Sequence, residues 1–435
     1  MSPLQINSSS AANRASVLYS KAFWRIVPLL MACYTVSYLN RINIGFAKLQ
    51  MSSTLGLSES VFGIGAGVFF IGYFIFGLPS NLLMQRFGAR RWIGCLMIVW
   101  GITSACFSLI KTPLEFGIVG FLLGTVEAGF YPGVIVYLAS WFPARQRARI
   151  LALFMSAIPI AGIFGNPLSG WIMDAFASVA HLLGWQWMFL IEALPAILFG
   201  VVVFFTLDDG IRSAKWLTDS EKQFLGDEIK ADAAERAVGA GPVTAVMKDR
   251  RLWLMCFIYF TFIVGQYGLT FWMPTLIHGT GVSQTTRIGW LSAIPFVCAV
   301  IAMNLCGRSA DAHRERRWHV IVPALCGAAG FCVAASFSHN TLVSVIALSV
   351  AAAGVLTCAP LFWSLPTSFL AGTAAAAGVA IINSIGNLAG FASPVMIGHL
   401  RDLTHSSQSG MYALAGIMVA GAFAVWSVPA KLVNH

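Results

Sequence analysis

Asn81-Leu-Leu-Met-Gln-Arg-Phe-Gly-Ala-Arg-Arg-Trp92 is a basic turn that the chain uses twice, because 226 residues later it reads Gly307-Arg-Ser-Ala-Asp-Ala-His-Arg-Glu-Arg-Arg-Trp318. Arg90-Arg91 falls on Arg316-Arg317, and Trp92 on Trp318. The same offset lays Arg251 on Arg25, Gln266 on Asn40 and Tyr267 on Arg41, and one residue more lays Pro394 on Pro167. One basic turn could match by accident. Several matches at one offset mark an internal duplication.

Composition says what is duplicated. Of 435 residues, 58% are hydrophobic and 10% charged, with a mean hydropathy of +0.78. Soluble domains carry roughly 25% charged residues, so this chain cannot build a water-exposed surface around a core. A large soluble enzyme is excluded, and so is disorder, which needs low hydrophobicity and high net charge. A membrane helix takes about 20 apolar residues, so twelve take about 240. A barrel would show alternation in segments of about ten residues, whereas these runs are twice as long and apolar all round.

The apolar runs lie at 26–47, 60–84, 92–110, 115–139, 150–173, 185–206, 252–276, 288–306, 319–337, 341–364, 373–398 and 410–430. The expected fold is therefore an all-α membrane protein of twelve transmembrane helices in two pseudo-symmetric halves, 26–206 and 252–430. Tails are expected at 1–25 and 431–435, with a central loop at 207–251. That loop carries nine acidic and eight basic residues. Thr218 to Glu221 reads as a capping box ahead of one amphipathic helix, and Gly239-Ala-Gly-Pro242 as a linker.

Lysine and arginine set the orientation. With the N-terminus inside, 22 fall on the cytoplasmic side and four (Lys48, Lys111, Arg287, Arg401) on the outer side, while Arg41 lies within the first run. Both termini are then cytoplasmic in the inner membrane. The net charge of +10 belongs to the inner membrane face rather than to nucleic acid. The first 24 residues hold no cleavable signal. The nine cysteines lie in or beside apolar runs without CxxC spacing, as small hydrophobes rather than a disulfide or metal framework.

The two basic turns resemble the major facilitator superfamily signature, with Gln85 and Asp311 at its aspartate position. Tyr38-Leu-Asn-Arg-Ile-Asn-Ile-Gly-Phe-Ala47 is similar to the helix 1 motif of the anion:cation symporter family. So are Phe121-Leu-Leu-Gly-Thr-Val-Glu-Ala-Gly-Phe-Tyr-Pro-Gly133, Trp141-Phe-Pro143 and Ile382-Asn-Ser-Ile-Gly-Asn-Leu-Ala-Gly390. The resemblance implies proton-coupled uptake of small organic anions, in the company of phthalate, tartrate, hydroxyphenylacetate and sugar-acid permeases. Two departures stand out: Asn40 where members commonly carry aspartate, and Gly120 where many carry arginine. One fewer cation hints at a monocarboxylate.

The residues themselves point the same way. No GxSxG, HExxH, P-loop or dinucleotide fingerprint occurs, and no histidine is assigned to a metal, so neither enzyme nor cofactor is expected. The intramembrane charges are Arg41, Glu127 and Glu192. Tyr34, Tyr38 and Arg41 share a helical stripe, which suits a planar organic anion gripped by a guanidinium fork; the alternative is an anchor at the end of the helix. Glu127, between Gly124 and Gly129, is the candidate proton carrier, with a structural carboxylate as the alternative. Glu192 reads as structural. In the second half, Gln266, Tyr267, Trp363, Asn383 and Asn387 are the substrate-site candidates, with interhelical hydrogen bonds as the alternative. Arg90, Arg91, Arg145 and Arg147 read as inner-face latches.

The expected activity is secondary active import of a small organic anion, an aromatic or hydroxy carboxylate, with protons, by alternating access and as a monomer in the bilayer. The alternatives are a uniporter or an exporter of amphipathic compounds, and a membrane sensor of organic acids. The central stretch is too short for an output domain of such a sensor. Reporter fusions test the orientation: those at Gly239 and His435 should score cytoplasmic and those at Ser178 and Ser406 external. A periplasmic signal at Gly239 would overturn the six-plus-six arrangement.

Overall fold

The computed structural model describes residues 3–237, 247–366 and 372–430. The linker at Gly239–Pro242, the tail at 431–435 and the side chain of Arg145 lie outside the described residues. Among the described residues, twelve helices are long and apolar enough to cross a membrane. In the first half these are span 1 (Ala15–Leu55), span 2 (Glu59–Phe87), span 3 (Ala89–Leu109), span 4 (Pro113–Trp141), span 5 (Arg149–Ala175) and span 6 (Gly184–Thr206). In the second they are span 7 (Arg250–His278), span 8 (Thr285–His313), span 9 (Trp318–Ser336), span 10 (Thr341–Phe362), span 11 (Ala377–Thr404) and span 12 (Ser407–Trp426). Leu78, Leu114 and Phe205 are more than 70% exposed. Such an apolar exterior fits hydrocarbon as the solvent of the outer surface.

Each apolar run falls on one span, but the ends differ. The first helix does not start at residue 26: it runs Pro3–Leu55 without a break, because no glycine interrupts its early turns and Pro28 alone is tolerated. Those early turns bury Leu18, Tyr19 and Ala22, and the Tyr19 hydroxyl donates to Glu228 at 2.6 Å. Glu228 lies on the central helix Asp219–Ala237. That helix opens with the Thr218 box, in which the Thr218 amide donates to Glu221 at 2.7 Å and the Glu221 amide to the Thr218 hydroxyl at 3.4 Å.

Among the described residues, spans 4 and 5 are each interrupted. Span 4 divides into Pro113–Glu127 and Phe130–Trp141. Pro132 has no N–H to offer the carbonyl of Ala128, which loosens the ladder one residue past Glu127. Span 5 joins the end of the helix Ala144–Met155 to the helix Ala157–Ala175, and Pro159 removes the bond to Met155 in the same way. Kinks of this origin re-aim the side chains beside them.

Span 4 comes close to span 2 through small residues. A Cβ at Gly124 would strike the backbone carbonyl of Phe69, and one at Gly72 that of Phe121. This is the close approach that small residues allow when lipid offers no hydrophobic drive to helix association. It brings Glu127 on span 4 within reach of span 1, whose Ser37 and Arg41 it meets.

Candidate functional site

Arg41 sits near the middle of span 1, 7% exposed, with Glu127 of span 4 at 1%. The guanidinium donates to Glu127 Oε1 from Nη2 at 2.7 Å and from Nε at 3.0 Å. Ser37, one turn earlier, donates its hydroxyl to the same Oε1 at 2.5 Å. Oε1 therefore receives three donors. Oε2, equally buried, has no partner among the described residues. A buried carboxylate oxygen without a donor is an open position for a proton or a water.

The third guanidinium nitrogen reaches across the molecule, as Arg41 Nη1 donates to the hydroxyl of Tyr267 on span 7 at 3.2 Å. Residues 41 and 267 are related by the internal repeat, so this bond joins equivalent positions of the two halves. Beside it Gln266, the counterpart of Asn40, donates to the Tyr38 hydroxyl at 2.6 Å. The guanidinium carbon also lies over three rings, Tyr38 at 5.4 Å, Phe69 at 5.2 Å and Tyr73 at 5.3 Å. Cation–π attraction is strengthened by such desolvation. Arg41 is thus enclosed at the junction of the halves, and it does not snorkel to a helix end.

A cavity opens beside it, with about 750 Å³ of empty space counting the part open at its mouth. Seven of the eight substrate-site candidates line it: Tyr34, Tyr38, Arg41, Gln266, Tyr267, Asn383 and Asn387. Trp363 is the exception. Its ring lies 4.9 Å from that of Tyr259, which does line the cavity. Among the described lining residues, Arg41 is the charged one.

Sequence reasoning did not single out Tyr73, Tyr131 and Tyr259, which complete a wall of six tyrosines. A signal existed. The chain has nine tyrosines, and these three stand well inside apolar runs rather than at membrane edges, where tyrosine is usually enriched. Tyr34 is held by stacking on Phe154 at 4.5 Å and by Tyr131 at 5.5 Å, so the wall is braced by ring contacts.

The other buried acid serves a different face of span 1. Glu192 of span 6 accepts from Asn43 at 3.0 Å and from Ser169 at 2.6 Å, which ties spans 1, 5 and 6 together. Asn40 points to the same side and accepts from Ser104 of span 3 at 3.3 Å. Gly120 packs on span 2, where a Cβ would lie 3.0 Å from the Gly65 carbonyl. Neither position at which the sequence departs from the family pattern lines the cavity. No cluster of histidine, cysteine, aspartate or glutamate suited to a metal occurs among the described residues. Of the basic residues, Arg147 donates to the Phe142 carbonyl at 3.0 Å and pairs with Asp232 at 3.7 Å, beside the central helix.

Comparison with known proteins agrees with this fold. The family model described as the Major Facilitator Superfamily matches residues 30–394. A Pseudomonas putida protein provisionally named metabolite transport protein NicT is 45% identical over 96% of both chains. A protein provisionally named a tartrate transporter in Agrobacterium vitis is 46% identical over 92% of this chain and 89% of its own. The quinolone resistance transporter of Acinetobacter baumannii is 38% identical over 94% of each. Among solved structures, the inward-open xylose transporter XylE of E. coli superposes with a TM-score of 0.74 at 18% identity, covering 94% of this chain and 96% of that one. A bacterial Spinster homologue, inward-facing and occupied, gives 0.73 at 16%, covering 92% and 95%.

The fork on Arg41 makes one prediction independent of cargo. Arg41→Lys keeps the charge but offers a point donor in place of a planar fork, so it cannot hold Glu127 and Tyr267 in the same geometry. A charge-assisted hydrogen bond is worth about 1.5–3 kcal/mol, so anion affinity in purified protein should fall about 10- to 100-fold, with membrane insertion unchanged. Unchanged affinity would reduce Arg41 to a structural partner of Glu127.

Proposed function

The chain belongs to the major facilitator superfamily, a transporter rather than an enzyme, and we propose that it imports a small organic anion together with a proton. The observation that carries this reading is the uneven state of Glu127. One oxygen holds the guanidinium and the other, buried, has no partner among the described residues. Protonation at Oε2 removes the negative charge that holds Arg41. The guanidinium is then free to take the substrate carboxylate in bidentate geometry, with the proton and the anion carried in the same step. At an effective dielectric of 20, unit charges about 4 Å apart interact by about 4 kcal/mol, enough to couple the two occupancies.

The cargo that fits is a monocarboxylate with a planar ring or hydroxyl groups. One guanidinium in the described lining balances one carboxylate, and the second charge of a dicarboxylate would be left uncompensated at a cost that grows with burial. Six tyrosine rings offer flat apolar faces and hydroxyls. Asn383 and Asn387, one turn apart on span 11, offer amides to a ring substituent. Relatives carry the names of a metabolite and of tartrate; tartrate, a dicarboxylate, supports the organic-acid class, while the choice of a monocarboxylate rests on the single guanidinium of the described lining. The quinolone resistance relative favours export as the second reading. The protein sits in the inner membrane with both termini in the cytoplasm and works as a monomer.

Reconstituted vesicles test the proposal. With an imposed pH gradient, the wild type should accumulate labelled benzoate more effectively than labelled tartrate. Glu127→Gln, a permanent mimic of the protonated acid, should abolish pH-driven accumulation yet preserve exchange of substrate down its own gradient. Loss of both activities in a folded variant would make Glu127 structural, and retained pH-driven accumulation would move the proton elsewhere. Efflux of labelled quinolone with no uptake of acids would favour export.

A further inference from the structure

Carboxylates cap the first turns of several spans. Asp209 accepts from the Arg90 amide at the start of span 3 at 2.9 Å, and Glu315 from the Trp318 amide at the start of span 9 at 2.8 Å. Both contacts lie within one half. Two others cross between the halves. Asp402, near the end of span 11, accepts from the amides of Glu59 at 3.1 Å and Ser60 at 2.9 Å, the first residues of span 2. Asp174, near the end of span 5, accepts from the Thr286 amide at 2.7 Å and hydroxyl at 2.6 Å, and from the Thr285 hydroxyl, at the start of span 8.

These two crossings are images of each other under the internal repeat. Asp402 lies 228 residues after Asp174, and Thr285 lies 226 after Glu59. The packing beneath each is repeated as well. A Cβ at Gly170 would strike the Thr285 carbonyl, and one at Gly398 the Glu59 carbonyl. Both seams lie at the end of the molecule away from the central helix. A carboxylate on a helix N-terminus satisfies orphan amides and meets the positive end of the macrodipole. Here the two groups that make each bond belong to different halves, so it forms only while that end is shut.

We propose that Asp174 and Asp402 are a paired latch that holds the halves together at this end, and that releasing both opens the cavity there. Around the Asp402 seam, Glu59 pairs with Lys48 of its own half at 2.7 Å and with Arg401 of the other at 3.3 Å. The Lys48 ammonium rests 4.4 Å from the ring centre of Trp272 on span 7. The latch thus closes over a cation already held by the opposite half. It is independent of cargo and of the proton site, so its failure would leave the reading of Arg41 and Glu127 standing.

Hydrogen–deuterium exchange of the purified full-length protein tests it. Under fast reclosing, exchange reports the population of the open form. Loss of a cap changes such a ratio about fivefold. Asp174→Ala should therefore raise exchange about fivefold along both seams, including the Glu59–Phe70 and Pro394–Asp402 segments that it never touches. Asp402→Ala should do the reverse with the same reach, and the double variant should give about 25-fold. Asp209→Ala, which removes a cap of the same kind inside one half, should raise exchange at the start of span 3 and leave both seams unchanged. Asp174→Asn and Asp402→Asn, which keep the side-chain shape, should show the same two-seam pattern at lower amplitude if an alanine variant does not fold. Exchange that rises at the start of span 8 alone when Asp174 is replaced would overturn the proposal, since an ordinary cap gives that result.

Discussion

Arg41 and Glu127 are buried inside the protein within spans 1 and 4, and placing either charge alone in a membrane span costs about 2.5–3.5 kcal/mol on insertion scales and more in simulation. Together they neutralise each other through two hydrogen bonds to a single oxygen. Breaking a buried pair by removing one partner typically costs about 3–5 kcal/mol, because the survivor is left uncompensated. The site can therefore exchange one partner for another of the same charge, but it cannot leave a partner absent. In the proposed cycle that rule is the coupling device: a proton relieves Glu127 as a substrate carboxylate takes its place on the guanidinium.

Much of the surrounding structure serves to keep that pair where both halves can sense it. The close approach of spans 2 and 4 through Gly72 and Gly124 carries Glu127 to span 1. The break after Glu127, enforced by Pro132, leaves the backbone there less constrained than an unbroken helix. Tyr267 ties the guanidinium to the second half at the position that the repeat makes equivalent to Arg41. A movement of one half against the other must then either stretch this bond or carry Arg41 with it. Three rings around the guanidinium keep water away while leaving its edge toward the cavity.

How much of this could be read from the sequence depended on the physical signal each part leaves. Twelve spans were legible because hydrocarbon imposes a length and composition that nothing else produces. Arg41 and Glu127 were legible because a charge in such a run is costly and needs a reason. The unbroken helix ahead of residue 26 was not, since its register is set by Tyr19 and Ala22 packing on neighbours far along the chain. Trp363 was named from its type alone, and the structure places it against Tyr259, a residue of the lining. Tyr73, Tyr131 and Tyr259 carried the same signal, a tyrosine well inside an apolar run, but only three dimensions show that they face the cavity. Asp174 and Asp402 sit at helix ends like many capping residues, and only the fold reveals that the amides they hold belong to the other half.

If proton and anion are taken up at one linked site, calorimetry of anion binding measures that linkage directly. Benzoate titrated into the purified protein at neutral pH, in buffers of different ionisation enthalpy, reports the protons taken up with each bound anion. About one proton should enter per benzoate, since Glu127 must be neutralised as Arg41 changes partners. Heats that do not vary with the buffer, with benzoate still bound at Arg41, would mean that no proton accompanies the anion and would contradict uptake at a linked site.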